Sequence, residues 1–212
     1  MEKKYILTDD VIDFNSHTLH RIKAVRDFDC VKAGDLGGFI ESEKNLDHDG
    51  AAWVTGDARI FGDAVVSSAA VVSGAAVVSG DARVSGVAVV SGAARVTGDA
   101  WVTGVARIFG DAVVSGAAVV SGDAFVTDSA RVSGAAVVSG AADFAVISGF
   151  GRVFRTTTFF RCKDNLVRCQ CGCFYGTVDE FRSKVRETHG SSKYAKEYLM
   201  IADLMELHFK ED

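Results

Sequence analysis

The residues best suited to chemistry are cysteines near the end of the chain, in the stretch "CKDNLVRCQCGC". This stretch predicts a β-hairpin with Phe160 opposite Cys169, which would place four thiols on one face because side chains alternate along a strand. The thiols could bind zinc with His189 or His208, but alternate strand residues lie about 6–7 Å apart and structural zinc sites favour Cys-x2-4-Cys spacing. Buried free thiols are therefore favoured. Metal binding and disulfide or redox chemistry remain alternatives for Cys162, Cys169, Cys171 and Cys173.

Few residues of the chain support a catalytic role. Cys173 and His189 could act as nucleophile and base, but no third residue that would orient the base can be identified. General-base catalysis needs a group that titrates near neutral pH in a pocket, and residues 51–150 contain no histidine. Three histidines precede that range: His17, His20 and His48. The sequence therefore predicts a protein that is not an enzyme and needs no cofactor.

The middle of the chain is a six-residue repeat, as in "VVSGAAVVSGDARVSGVAVVSGAARVTGDA". Alanine occupies every sixth position from Ala52 to Ala142, and valine or isoleucine follows two residues later until the last repeat, which has Phe144. Glycine follows after two more residues in most repeats. A period of six fits neither an α-helix nor an array of hairpins, but it fits a solenoid of short stacked strands.

Strand alternation explains which positions of the repeat are constant. Ala82 and Val84 would face the core, whereas Arg83 and Ser85 would face solvent. Gly86 would then turn a corner with dihedral angles that other residues avoid. The small alanine lets a narrow coil close, so a larger side chain there should overpack the core.

Read from the valine, the unit Val-Ser-Gly-Asp-Ala-Arg resembles the hexapeptide repeat of left-handed parallel β-helices. The resemblance covers residues 51–151 and implies triangular coils of three repeats with a left-handed sense. The repeat arginines are separated by multiples of 12 residues, which leaves a flatter, two-sided coil as an alternative. The predicted fold is mainly β: a single-stranded parallel β-helix, triangular and left-handed, with an N-terminal β cap (residues 1–50) and a C-terminal module (residues 152–212).

Many members of the hexapeptide-repeat family are acyltransferases that use acetyl- or acyl-coenzyme A. As a family they use a histidine base, commonly near a loop that leaves the coil. The repeats of this chain contain neither a histidine nor an inserted loop. An acyltransferase-like enzyme with a base from outside the repeats therefore stays the alternative to a binding protein.

The outward side chains of the coils predict self-association as a dimer or trimer. Many outward positions hold valine, arginine or an aromatic residue, and large apolar patches with such anchors usually mark interfaces. The alternative is that β-branched residues simply suit strands. The predicted interface residues are Trp53, Phe61, Val71, Val89, Trp101, Arg107, Phe109 and Phe125.

The C-terminal module is predicted to be a β-hairpin followed by two helices (ββαα). A capping box of Thr177 and Glu180, with Gly190 at the far end, predicts the first helix, and apolar spacing predicts the second over residues 193–210. Aromatic and basic side chains of the module are the predicted partner-binding residues, unless they form its own core and rim. These residues are Phe159, Phe160, Arg161, Arg168, Phe174 and Tyr175.

Composition restricts the location and the partner. The net charge is −5, and no segment is basic enough for general nucleic-acid binding. The sequence has no apolar run long enough to predict a membrane span, and its odd number of cysteines, five, favours a reducing, cytoplasmic compartment.

A second resemblance concerns the stretch before the repeats. "GDLGGFIESEKNL", followed by "AAWV", resembles the opening of uncharacterised bacteriophage and prophage repeat proteins. This resemblance implies a phage-type protein that sterically inhibits a host protein or protein–nucleic acid complex, for example in a bacterial defence system. A structural virion component and a nucleotide sponge are the alternatives.

Overall fold

The N-terminal end is an antiparallel hairpin joined to a third strand. The computed structural model describes residues 2–210, so Met1, Glu211 and Asp212 of the predicted end ranges lie outside the described residues. The first strands are β1 (Tyr5–Phe14), β2 (His17–Ala24) and β3 (Leu36–Ile40). β1 pairs with β2 and β2 with β3, both antiparallel, which confirms the predicted N-terminal β piece.

A series of two-residue strands follows, separated by four-residue corners. They are, from β4 to β18, Trp53–Val54, Arg59–Ile60, Val65–Val66, Val71–Val72, Val77–Val78, Arg83–Val84, Val89–Val90, Arg95–Val96, Trp101–Val102, Arg107–Ile108, Val113–Val114, Val119–Val120, Phe125–Val126, Arg131–Val132 and Val137–Val138. Parallel stacking already begins at β3, where Phe39 pairs with Arg59.

These strands stack into three parallel sheets, which form the sides of a triangular solenoid. The first side contains β5, β8, β11, β14 and β17, the second β4, β7, β10, β13 and β16, and the third β6, β9, β12, β15 and β18. On the first side Arg95 lies between Val77 and Val113. Each strand therefore pairs with the strand three repeats earlier and with the strand three repeats later. The triangular coil is confirmed, the two-sided alternative is wrong, and the left-handed sense stays a prediction from the resemblance.

The interior of the solenoid is built from the repeating side chains. Every sixth alanine from Ala52 to Ala136 is fully buried, as is every sixth valine or isoleucine from Val54 to Val138. The sixteenth alanine, Ala142, is exposed in a 3-10 turn (Ala141–Asp143). The chain therefore leaves the coil one repeat earlier than the alanine pattern indicates.

Glycines turn the corners in the left-handed backbone region. Gly86 has a φ of 70° and Gly104 a φ of 71°. A Cβ added to Gly86 would lie 2.7 Å from the carbonyl oxygen of Gly104, so successive corners pack backbone against backbone. Asp128, one of the non-glycine corners, adopts the same region with a φ of 57° and is exposed to solvent in the last coil.

Beyond the solenoid, four antiparallel strands precede two helices. The elements are β19 (Phe144–Phe150), β20 (Arg155–Arg161), β21 (Val167–Cys171), β22 (Phe174–Thr177), α1 (Val178–His189) and α2 (Lys193–His208). β19 lies inside the range 51–151 that the repeat pattern assigns to the solenoid, so the module's sheet has two strands more than the predicted hairpin. The capping box of Thr177 and Glu180 and the C-cap Gly190 are present.

The alternation of β19 explains why its sequence resembles a further repeat. Phe144 and Val146 pack against the solenoid core, whereas Ala145 and Ile147 pack against the layer that contains the helices. Strands of the solenoid and of the module both need a buried residue at every second position. The sequence pattern therefore does not reveal where the chain leaves the solenoid and enters the module's sheet. No helix in residues 2–210 is long and apolar enough to cross a membrane.

The module closes the C-terminal end of the solenoid. Phe160 and Cys162 belong to the buried cluster of the coil interior. The N–H of Lys163 donates a hydrogen bond to the carbonyl oxygen of Ala135 over 3.0 Å, and Cys162 forms a β-bridge with Ala136. Module and solenoid therefore share one continuous core at this end.

The N-terminal piece closes the other end with two buried polar side chains. The hydroxyl of Tyr5 donates to the carbonyl oxygen of Leu46 over 2.7 Å. Lys4 is fully buried, and its ammonium donates to the carbonyl oxygen of Ala52 over 2.9 Å. Burial lowers the pKa of Lys4 from 10.5 to about 8, because a charged amine loses its hydration there.

Candidate binding surfaces

The N-terminal piece covers two of the predicted interface residues. Trp53 is 7% exposed and its ring centroid lies 5.4 Å from that of Phe28. Phe61 is 8% exposed and lies 5.8 Å from Phe14. The prediction that these two aromatic side chains contact a second copy is therefore corrected: they pack against residues far earlier in the chain.

The other predicted interface residues lie at the surface of the second and third sides. Val71, Val89 and Phe109 are half-buried, and Arg107 is exposed. Trp101 and Phe125 are each 48% exposed, which is high for large aromatic side chains. The rings of Phe109 and Phe125 lie 5.5 Å apart.

Two corner residues that were not among the predicted interface residues extend this surface. Val87 and Val105 are 59% and 51% exposed and stack on the corner between the third and second sides, where the N–H of Val87 donates to the carbonyl oxygen of Gly104. The indole N–H of Trp101 donates to Ser85 Oγ, two residues before Val87. We call the set Val87, Trp101, Val105, Phe109 and Phe125 the corner patch.

A signal for the corner patch was present in the sequence. The residue after each corner glycine is Asp or Ala throughout the repeats except at Val87 and Val105. These two valines are three repeats apart and therefore meet on the same corner. Exposed valines at this repeat position therefore set this corner apart from the others.

The predicted partner-binding phenylalanines of the module are core residues. Phe160 faces the solenoid interior, whereas Phe159 faces the helices and lies 5.9 Å from Phe181. Both are fully buried, so the prediction that they touch a partner is corrected. The alternative, that they form the module's own core, holds for both.

The remaining predicted partner-binding residues lie nearer the surface, but two of them already have partners. Arg168 forms a bidentate pair with Asp164, at 2.7 and 2.6 Å, and Arg161 donates to the carbonyl oxygen of Phe209 over 3.2 Å. Phe174 is half-buried and Tyr175 is 43% exposed. The two aromatic residues are therefore the ones most available for contact.

The four cysteines do not share one face. Phe159 pairs with Cys169 and Phe160 with Arg168, one residue away from the predicted register. Cys162 therefore faces the solenoid, Cys169 and Cys171 face the helix layer, and Cys173 is exposed. Burial raises the pKa of the Cys169 thiol far above its usual value. Within residues 2–210, no three histidine, cysteine or acidic side chains come together as metal ligands.

The register differs because of the loop between β20 and β21. Arg161 pairs with Val167, which leaves five residues in the connection, and Asn165 takes a left-handed φ of 61°. A two-residue turn at the same place would have given the predicted pairing. One residue of difference moves a strand's side chains to the opposite face.

The module contains a cavity of about 540 Å³ between its sheet and its helices. The charged residues of its lining are all cationic: Arg152, Arg155 and Lys184. Its aromatic lining residues are Phe174, Tyr175, Phe181 and Tyr198. We call this space the module cavity. Its volume is typical of sites that bind small molecules.

The elements around the module cavity hold its walls in place. Phe181 on α1 lies 5.7 Å from both Phe174 on β22 and Tyr198 on α2. Burial raises the pKa of the Tyr198 hydroxyl to about 12, so this group is neutral at physiological pH. Cys173 and His189 both line the cavity, but no hydrogen bond between them is present in the described part of the chain.

Comparison with known proteins supports the repeat architecture. The family model described as the YdcK β-solenoid repeat matches residues 106–122. These residues form the part of the solenoid that includes β13, β14 and β15. No curated protein matches the chain.

Proposed function

Because the chain is a β-solenoid repeat protein, we propose that it is a non-enzymatic binding protein that self-associates through the corner patch. The regular coils support a binding role, since the strands from β4 to β18 follow one another without an inserted loop that could form a cleft. The observation that carries self-association is the exposure of Trp101 and Phe125, on the third and second sides, together with that of the corner residues Val87 and Val105.

A second copy of the chain is the occupant that the corner patch fits best. A two-fold interface brings the same surface together from both copies, so it must be complementary to itself. An uncharged apolar surface meets this condition, whereas a surface of one charge would repel its copy. Asp123 occupies the next position on the same corner after Val105, and exposed Arg107 pairs with Phe125 on the second side, so charges of both signs are available near the patch.

The test replaces the corner valines with the residue that other corners already contain. The double substitution Val87→Asp and Val105→Asp introduces aspartate at the repeat position that Asp81 and Asp99 occupy in other repeats, so the fold should be retained. The control is Ala93→Asp with Ala117→Asp, which changes charge equally at other corners. We expect a dimer or trimer for the wild type and the control, and a monomer for the valine variant, in sedimentation velocity.

Two results would contradict this proposal. A monomeric wild type at high protein concentration would remove the need for an interface, and an unchanged assembly in the valine variant would place the interface elsewhere. An open-ended assembly in light scattering would instead favour the structural virion component.

The proposal extends to a macromolecular partner, as the resemblance to phage proteins implies. Binding and steric inhibition of a host protein or protein–nucleic acid complex would use the module's surface around Tyr175 and Phe174. Tyr175→Ser, compared with Tyr194→Ser on an exposed part of α2, should reduce co-purification of a host component without changing the folded state. Equal recovery with both variants would contradict a role for this surface.

The enzyme and sponge alternatives have direct tests. Turnover of acyl-coenzyme A by the purified protein would establish the acyltransferase-like alternative. Stoichiometric binding of cyclic nucleotides in calorimetry, lost in the monomeric valine variant, would establish a nucleotide sponge between subunits.

A further inference from the structure

We propose that the module cavity is a binding site for a small organic anion with an aromatic body. This function is separate from self-association, because the cavity lies in the C-terminal module and the corner patch lies on the solenoid. The ligand class follows from the charge of the lining, the aromatic walls and the volume of the space.

The charge of the lining selects an anion. Arg152, Arg155 and Lys184 contribute three cationic groups, and the lining contains no carboxylate. Lys184 pairs over 2.9 Å with Glu187, whose side chain is 70% exposed, so this pair is weakened by solvent. Within residues 2–210, no carboxylate lies in ion-pairing range of Arg152 or Arg155.

Glu197 on α2 is not among the lining residues of the cavity, and it already has two partners. Glu197 accepts a hydrogen bond from the N–H of Gly151 over 3.0 Å and lies 3.4 Å from the ammonium of Lys193. It therefore holds the loop between β19 and β20 in place, and its charge also acts on the Tyr198 hydroxyl in the opposite sense to Arg155. Two guanidinium groups with free donors can bind a carboxylate or a phosphate in bidentate geometry.

The walls select an aromatic body. Phe181 contacts both Phe174 and Tyr198, and the three rings lie on three different elements, so they present a preformed apolar surface. Aromatic rings favour stacked or edge-on contact with another ring. A volume of about 540 Å³ accommodates a molecule of one to three rings with its anionic group at the cationic rim.

The position of Arg155 joins the two halves of the site. A Cβ added to Gly172 in the β21–β22 turn would collide with the guanidinium of Arg155, so this glycine leaves room for the arginine. Arg155 also acts electrostatically on the Tyr198 hydroxyl. The cationic group therefore lies beside the aromatic wall, as an aromatic anion requires.

The experiment measures binding of matched probes to the full-length protein by calorimetry. The probes are 2-naphthoate, 2-naphthyl phosphate and the uncharged 2-naphthalenemethanol, which share the ring system. We expect one site per chain and an affinity for at least one anion that is ~10-fold or more above that of the alcohol, which corresponds to ~1.4 kcal/mol. The preferred anion then distinguishes a carboxylate ligand from a phosphate ligand.

Variants assign the binding to the cavity. Arg155→Gln should lower the anion's affinity to about that of the alcohol, and Arg152→Gln, in an exposed turn, is the second variant in case the first does not fold. Arg83→Gln on the solenoid is the matched control and should leave affinity unchanged. Equal affinity for anion and alcohol, absence of binding by all three probes, or anion binding unaffected by either cavity variant would each overturn the proposal.

The two proposals can fail separately. The valine-to-aspartate variant of the corner patch should bind the anion as the wild type does. Loss of self-association with retained anion binding therefore supports both proposals. Loss of anion binding in this variant would contradict the proposal that the site lies within the module of a single chain.

Discussion

The solenoid and the C-terminal module bury their strands in different ways. Each solenoid strand has one buried face, made of alanine and of valine or isoleucine, and one outer face. The module's sheet has two buried faces, since β20 directs Phe160 to the coil and Phe159 to the helices. Beyond the N-terminal piece, the solenoid exterior can therefore change without disturbing the core, whereas both faces of β20 have a packing role.

Of the changes that distinguish the two regions, removing the module should have the largest effect, because it exposes the end of the solenoid. Deletion from Phe144 onward uncovers the apolar end of the coil that Phe160 and Cys162 cover, so we expect aggregation rather than a shorter soluble solenoid. Size-exclusion chromatography with light scattering measures the outcome. A monodisperse, β-rich fragment would show that the coil needs no cover at this end.

A single substitution in the module should destabilise the module while the solenoid stays folded. Phe159→Ala removes a fully buried ring between sheet and helices, at a cost of about 3–5 kcal/mol in the free energy of unfolding. Hydrogen exchange should show lost protection in α1 and α2 with the coil amides still protected. Uniform loss of protection would mean that module and solenoid unfold together.

The solenoid should respond most strongly to changes of volume inside the coil. Ala100→Leu adds three carbons to a fully buried position, so overpacking should reduce the free energy of unfolding by about 1–3 kcal/mol. Ala93→Leu places the same side chain at an exposed corner and is the control. Urea titration compares the two, and equal stabilities would contradict the role of alanine in closing the coil.

The smallest effect concerns the buried lysine at the N-terminal end. Lys4 loses its proton near pH 8 in the folded protein and near 10.4 when unfolded, so between these values the unfolded state binds more protons. Relative to Lys4→Met, the wild type should gain up to ~1.4 kcal/mol of unfolding free energy per pH unit above pH 8. Urea unfolding at pH 7, 8 and 9 measures the difference, and a difference that is constant with pH would contradict this burial effect.

The coil could be predicted from sequence because each repeat obeys a local rule. Ala82, Val84 and Gly86 specify core, core and corner without reference to distant residues. The same rule marks Val87 and Val105 as unusual corners. It cannot reveal that Trp53 and Phe61 are covered, since the covering residues, Phe28 and Phe14, lie in a segment without the repeat.

The module was harder to predict for a related reason. Its register depends on the five-residue connection between Arg161 and Val167, and one residue decides whether Cys162 and Cys169 share a face. The cavity depends on Arg152, Lys184 and Tyr198, which come from a turn and two helices. Their proximity arises only from tertiary packing, for which the sequence carries no short-range pattern.

The 18-residue spacing of stacked strands sets how such a protein can change in length. Duplicating one complete coil would raise the module by ~4.8 Å along the axis and keep its direction. Duplicating a single hexad would also swing the module to the adjacent side of the triangle, because Ala135 and Ala136, where it docks, would then occupy a different side. Gene duplications in steps of three hexads therefore change only the position of the module along the axis. Duplications of one or two hexads also change the side of the triangle on which it docks.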